Sequence, residues 1–332
     1  MNTPANHTTR ASDSSSVPSV RETSYLRCPE GRIGYDVAGD GSLVILVPGM
    51  GDLRAGYRFL APALRAAGYR VACTDLRGHG DSDAMFTSYG DEETAGDVIA
   101  LLEELGGPAV VVGNSMGAGS AALAAAKRPE LVSGLVLAGP FVRNPRTSAM
   151  RRLLLRVAMA PPWAAISWKS YLPKLYAGRR PADFGEYRDQ VIASIRRPGY
   201  AKAFSRTTRT SHDPAEARLA EVTAPALVVM GEQDPDFPDP RAEADWIAGA
   251  LHAQVVMVPD AGHYPQSQRP DITTGAVLSF LESVNGPAQA RLIRPGMSAE
   301  AGRIAGEANP VAGPEVAAAS SLAPPLPGPA AQ

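Results

Sequence analysis

One segment constrains this chain more than any other: Val110-Val111-Val112-Gly113-Asn114-Ser115-Met116-Gly117-Ala118-Gly119. A run of β-branched residues suits a buried strand. It passes without a linker into a small-residue stretch that reads as a helix from Ser115 to Lys127. A strand that becomes a helix through a single serine must turn sharply. Such a turn strains the serine backbone, lifts its hydroxyl above the sheet, and demands glycines where strand and helix approach. The helix N-terminus adds free N–H groups and a favourable dipole for developing negative charge. Ser115 is therefore the expected nucleophile.

The rest of the chain supplies a sheet for that turn. Tyr25 to Cys28 and Arg32 to Ala38 suggest an opening hairpin. Strand-length apolar runs follow at Leu43 to Val47, Arg70 to Thr74, Ala109 to Gly113, Leu135 to Ala138, Ala226 to Met230 and Gln254 to Val258. Helical patterns lie between them at Phe59 to Ala67, Glu92 to Leu105, Ser115 to Lys127, Arg241 to Ala250 and Asp271 to Ser283. This alternation predicts an α/β fold, a mostly parallel sheet with helices on both faces. From about Phe141 to Leu219 there are helical patches and no strand, and roughly eighty residues is too long for a plain loop. The expected organisation is a core of 22–140 and 220–285, a helical cap or lid at 141–219, and disordered tails at 1–21 and 286–332. The tails are rich in Ser, Thr, Ala, Pro and Gly, which cannot bury enough apolar surface to offset chain entropy.

Composition excludes several classes. Charged residues are 20% of the 332 and the net charge is -2, spread without long runs, a balance that does not suggest a nucleic-acid partner. Cys28 and Cys73 make no disulfide framework, and no Cys/His group has zinc-ligand spacing, so neither metal nor cofactor is expected. The N-terminus is polar and no apolar stretch is long enough to span a bilayer, which predicts a cytoplasmic protein without a membrane span.

A serine hydroxyl needs a base. Of the five histidines, His263 follows the last strand in Asp260-Ala261-Gly262-His263-Tyr264-Pro265, where functional loops of an open α/β sheet gather. His79, in Asp75-Leu76-Arg77-Gly78-His79-Gly80, is the rival. The acid that orients the base is expected at Asp234, after the strand ending at Met230, with Asp236 and Asp239 as close alternatives. An oxyanion needs two donors. We expect the backbone N–H of Met116, next to the nucleophile, and of Met50, in the loop Val47-Pro48-Gly49-Met50-Gly51.

These segments together resemble the α/β-hydrolase superfamily, in particular its cap-bearing serine hydrolases. The segment Asp75-Leu76-Arg77-Gly78-His79-Gly80-Asp81-Ser82 matches their Asp-x-Arg-Gly-x-Gly-x-Ser motif. The resemblance covers about Tyr25 to Val284 and implies a mainly structural role for Asp75 and Arg77. Pro48 stands where many members have histidine, which leaves a backbone donor intact. Epoxide hydrolases and haloalkane dehalogenases of the group place aspartate at the elbow, and Ser115 argues against them. The implied function is hydrolysis of a small-molecule ester, thioester or lactone through an acyl-serine. C–C hydrolase, acyltransferase and perhydrolase chemistry use the same residues. A hydrolase-like ligand receptor is the reading from another class.

Overall fold

A computed structural model describes residues 22–145 and 148–286 of the chain. The expected tails lie outside the described residues, apart from Gly286.

Eight strands form one sheet: β1 (Ser24–Cys28), β2 (Gly31–Ala38), β3 (Leu43–Val47), β4 (Arg70–Thr74), β5 (Ala109–Asn114), β6 (Val132–Ala138), β7 (Ala226–Gly231) and β8 (Gln254–Val258). Their spatial order is β1-β2-β4-β3-β5-β6-β7-β8. The β1-β2 and β2-β4 pairs are antiparallel; all the others are parallel. The central strands are buried on both faces, which explains their unbroken Val/Leu/Ile runs.

Alternate side chains face two helical layers. Ile45, Val47, Val111, Leu135, Leu137, Val228 and Met230 pack towards α2 (Asp91–Leu105), α3 (Met116–Lys127) and α9 (Pro240–Leu251). Val44, Leu46, Val110, Val112, Val136 and Val229 face α1 (Leu60–Ala66) and, after the short α10 (Pro265–Gln268), α11 (Pro270–Asn285) on the other side. Helix α3 is buried from Met116 to Ala126, and only small residues let it lie so close to the sheet. A Cβ on Gly113 would sit 2.3 Å from the Gly117 carbonyl, so the two glycines of the elbow are spatially required.

The chain runs from β3 outward to β4, then crosses back to β5 on the other side of β3. The carboxyl ends of β3 and β5 thus flank the point where the winding reverses, the place where open α/β sheets hold ligands.

Between β6 and β7 the described residues form five α-helices and no strand: α4 (Ala149–Ala158), α5 (Ala164–Leu175), α6 (Phe184–Ile195), α7 (Tyr200–Thr207) and α8 (Asp213–Glu216). Trp168, Leu172, Leu175, Tyr176, Phe184, Tyr187, Ile192 and Phe204 of this insertion form their own buried cluster, joined by Tyr264 from the loop after β8.

Candidate active site

Ser115 sits between β5 and α3 with φ 56° and ψ -124°, a backbone conformation that non-glycine residues avoid. Its carbonyl accepts from the N–H of Ala118 (3.0 Å) and Phe141 (3.2 Å), and its N–H donates to the Ala138 carbonyl (3.0 Å), so the strained turn is held from several sides. The loop after β3 comes against it: a Cβ on Gly49 would lie 2.7 Å from the Ser115 Cβ and 3.3 Å from its Oγ. Any side chain there would push the loop off the serine.

The loop after β7 carries Asp234 and the loop after β8 carries His263. Nδ1 of His263 donates to Oδ2 of Asp234 at 2.7 Å, and both side chains are buried. The other Asp234 oxygen accepts the Asp236 N–H (3.0 Å), and the Gln233 N–H donates to the Ala261 carbonyl (2.9 Å), which ties the two loops together. Asn114, the residue before the serine, donates from its side chain to the carbonyls of Ala138 (2.9 Å) and His263 (3.1 Å). The elbow and the histidine loop are therefore one hydrogen-bonded unit. Gly139 closes it: a Cβ there would meet the His263 carbonyl at 2.8 Å and its Nδ1 at 3.2 Å.

Of the rival acids, Asp239 caps α9 by accepting from the Ala242 N–H (3.0 Å). Asp236 approaches His263 Nδ1 only to 3.9 Å and accepts from the Tyr171 hydroxyl. Asp234, Asp236 and His263 gather three ligand-type atoms within 4.8 Å, yet two of those atoms are engaged with each other. The shortest contact within the cluster is the His263–Asp234 hydrogen bond.

Met50 and Met116 flank Ser115 on the β3 loop and at the first residue of α3. Neither backbone N–H makes a hydrogen bond among the described residues. The neighbouring Gly51 is held on both sides of its peptide units. Its N–H donates to Nε2 of His79 (3.0 Å), and its carbonyl accepts from Nε1 of Trp168 (2.8 Å). Nδ1 of His79 lies 2.9 Å from the Arg77 carbonyl, which can only accept, so Nδ1 carries the proton and Nε2 is the acceptor. Burial pushes the His79 imidazole down to about 4, so it stays neutral. His79 is thus a strut of this loop. The sequence presents it only as a rival base, although strands β3 and β4 being neighbours would have brought position 79 beside position 51.

Asp75 is a strut too. It accepts the Arg54 N–H (2.8 Å) and the Asp81 N–H (3.0 Å) and pairs with the Arg54 guanidinium, while Arg77 binds Asp97 through two N–H groups (2.7 and 2.8 Å).

Helix α5 touches the site at three places. Trp168 holds the Gly51 carbonyl, Tyr171 holds Asp236, and the Leu175 carbonyl accepts the His263 N–H at 2.8 Å. Positions 168, 171 and 175 share one helix face. Below them lies Asp52, fully buried and bonded to the Tyr187 hydroxyl of α6. Burial pushes the Asp52 carboxyl up to about 6, against the opposing pull of Tyr187, the Leu53 N–H and Arg58. For His263 burial acts downward. The Asp234 carboxylate outweighs it, first by charge and then by its hydrogen bond, with Asp236 and Asp52 adding to the effect, and the imidazole rises to about 9.

The alpha/beta hydrolase family model matches residues 44–276. The chain belongs to the α/β-hydrolase family. It is 31% identical to 2-(acetamidomethylene)succinate hydrolase of Mesorhizobium japonicum, over 76% of this chain and 93% of that protein. It is 29% identical to 2-hydroxy-6-oxo-6-phenylhexa-2,4-dienoate hydrolase of Burkholderia cepacia, over 75% and 91% respectively. Among solved structures, a bromoperoxidase from Bacillus anthracis superposes with a TM-score of 0.68 at 19% identity, over 79% of this chain and 100% of that one, and so shares the fold. The two curated relatives are named hydrolases, and with the family match they support an enzyme with hydrolase activity. Among the described residues, no helix is long and apolar enough to cross a membrane.

Proposed function

We propose that the chain hydrolyses a carboxylic ester, thioester or lactone through an acyl-Ser115 intermediate. The observation that carries this reading is the convergence at one switch point: a serine on a strained elbow, tied through Asn114 to a buried His263–Asp234 pair.

In this mechanism Nε2 of His263 takes the Ser115 hydroxyl proton while Oγ bonds to the substrate carbonyl carbon, whose π electrons move to its oxygen. The N–H groups of Met50 and Met116 receive that oxyanion. As the carbonyl re-forms, the C–O bond to the alcohol breaks, and the leaving oxygen takes the proton from His263. Water then repeats the sequence: it loses a proton to His263, bonds to the acyl carbon, and releases the acid with Ser115 reprotonated. Asp234 holds the imidazole with Nδ1–H turned away from the serine and stabilises the imidazolium. His79 and Trp168 are positioning residues that fix the loop bearing Met50. The helical insertion, 141–219, serves as the cap, since Ser115 is only 6% exposed beneath it.

C–C bond hydrolysis is the second reading. It is favoured by the match to the Burkholderia enzyme, whose name denotes a dienoate substrate. A fluorophosphonate should label Ser115, and Ser115→Ala should lose both labelling and turnover of a chromogenic ester while melting normally. Labelling at another residue overturns the nucleophile. Labelling of Ser115 without ester turnover, but with cleavage of a vinylogous diketone, moves the reading to C–C chemistry. Labelling with no turnover of either class leaves a ligand receptor.

A further inference from the structure

Between Glu130 and Asp183 the chain holds nine arginines and lysines and no acidic residue, although its net charge is -2. The same segment carries most of the exposed large apolar side chains among the described residues. Of nine exposed large apolar side chains among the described residues, seven lie within 150–166. Met150 is 72% exposed, Leu154 66%, Ile166 61% and Leu153 56%.

Helix α4 is exposed at every position from Leu153 to Val157; Met150, Leu153, Leu154 and Val157 recur at three- and four-residue spacing on one face, and Arg156 stands on its flank. Such a face, with arginine on its flank and no acidic side chain from 131 to 182, suits an anionic surface. Trp163 stands at the foot of this ridge, half exposed, with its indole N–H on the Val157 carbonyl (2.6 Å). An amphipathic ring at that level suits a bilayer interface.

The basic side chains near the ridge divide into two sets. Arg143, Lys169 and Arg179 are paired with Glu243, Asp189 and Asp271. Arg156 and Lys174 are exposed and have no carboxylate partner among the described residues. A basic helix carrying large apolar residues and an interfacial tryptophan is what an anionic lipid surface attracts, by burial of the apolar part and by charge. A second copy of the chain would instead bring two like-charged segments together.

We propose that the α4 ridge, from Met150 to Ile166, docks the protein peripherally on an anionic membrane surface. Docking does not rest on the serine chemistry, so the Ser115→Ala protein should dock as the native chain does.

The test is flotation of the full chain with vesicles of phosphatidylcholine containing about a third phosphatidylglycerol, against phosphatidylcholine alone. Binding is expected to the anionic vesicles and to fall steeply with added salt. Replacing Leu153 and Leu154 together by serine should abolish it, and Arg156→Glu should weaken it by at least about fivefold, from the size of one basic contact at such a surface. Trp163 fluorescence should shift to the blue on the anionic vesicles and be lost from that response in Trp163→Phe. Equal binding by native chain and double-serine variant, or no binding to anionic vesicles, overturns the proposal. So does a concentration-dependent dimer that the double-serine variant dissolves, which would make the ridge a contact between copies.

Discussion

Helices α4 and α5 are consecutive, similar in length and similarly rich in large apolar residues, yet they do opposite things. Helix α5 turns Trp168, Leu172 and Leu175 into the buried cluster of the insertion and reaches the loops of Gly51, Asp236 and His263. Helix α4 leaves Leu153, Leu154 and Leu155 in solvent. Apolar content alone does not say which helix covers a site. Spacing does not separate them either: 168, 172 and 175 recur on one face of α5, and 150, 153, 154 and 157 on one face of α4.

The largest expected difference between the two helices is in turnover. Trp168→Ala removes the donor to the Gly51 carbonyl and should lower kcat about 100-fold with little change in KM, near the lower end of the cost of losing an oxyanion donor. His79→Ala, acting on the same peptide from the core side, should behave alike. Leu154→Ser should leave kcat on a soluble ester unchanged. Comparable losses in Trp168→Ala and Leu154→Ser would erase the contrast.

Stability should separate them next. Leu172 is fully buried, and Leu172→Ala should cost about 2–5 kcal/mol as the vacated space fails to collapse. Leu154→Ser should stay within about 0.5 kcal/mol, the range of surface substitutions. Thermal melts of the two variants decide this, and a large loss in Leu154→Ser would mean that α4 packs after all.

A smaller effect sharpens the role of α5 through Asp236. His263 must be neutral to accept a proton, and its neighbours raise it to about 9, where an ordinary imidazole sits at 6.5. The acid limb of kcat/KM should therefore lie on the alkaline side of neutrality. From an ordinary imidazole, the sequence leads one to expect it near neutrality. Asp236→Asn removes a negative charge 3.9 Å from Nδ1 and should move the limb to lower pH. The same shift stabilises the fold fully below 6.5, and that contribution fades as pH rises through about 9. A limb near 6.5 in both proteins would show that the acids around His263 are too well screened to matter.

How far the chain could be read before folding follows the same physics. Strands β3, β4 and β8 were legible to the residue because each is a continuous apolar run with a clear boundary. Strand β6 starts at Val132 rather than Leu135, since Ser133 and Gly134 interrupt the run at a register shift against β5. Ser115, Asp234 and His263 could be nominated because each follows a strand and the order along the chain carries information. The contacts of Trp168, Tyr171 and His79 could not. They join residues from separate elements, and nothing in the local pattern of α4 or α5 announces which one meets the sheet.

The elbow at Ser115 has one more consequence. A positive φ at a residue with a side chain costs on the order of 1–3 kcal/mol, and glycine is free of that cost. Selection for thermal endurance alone would therefore carry position 115 towards glycine, the one substitution that relaxes the turn and removes the hydroxyl together. That the chain holds serine at φ 56° means the form with the most relaxed turn and the form carrying the proposed nucleophile are different sequences. Any programme that ranks variants of this protein by melting temperature will be rewarded for discarding that proposed nucleophile.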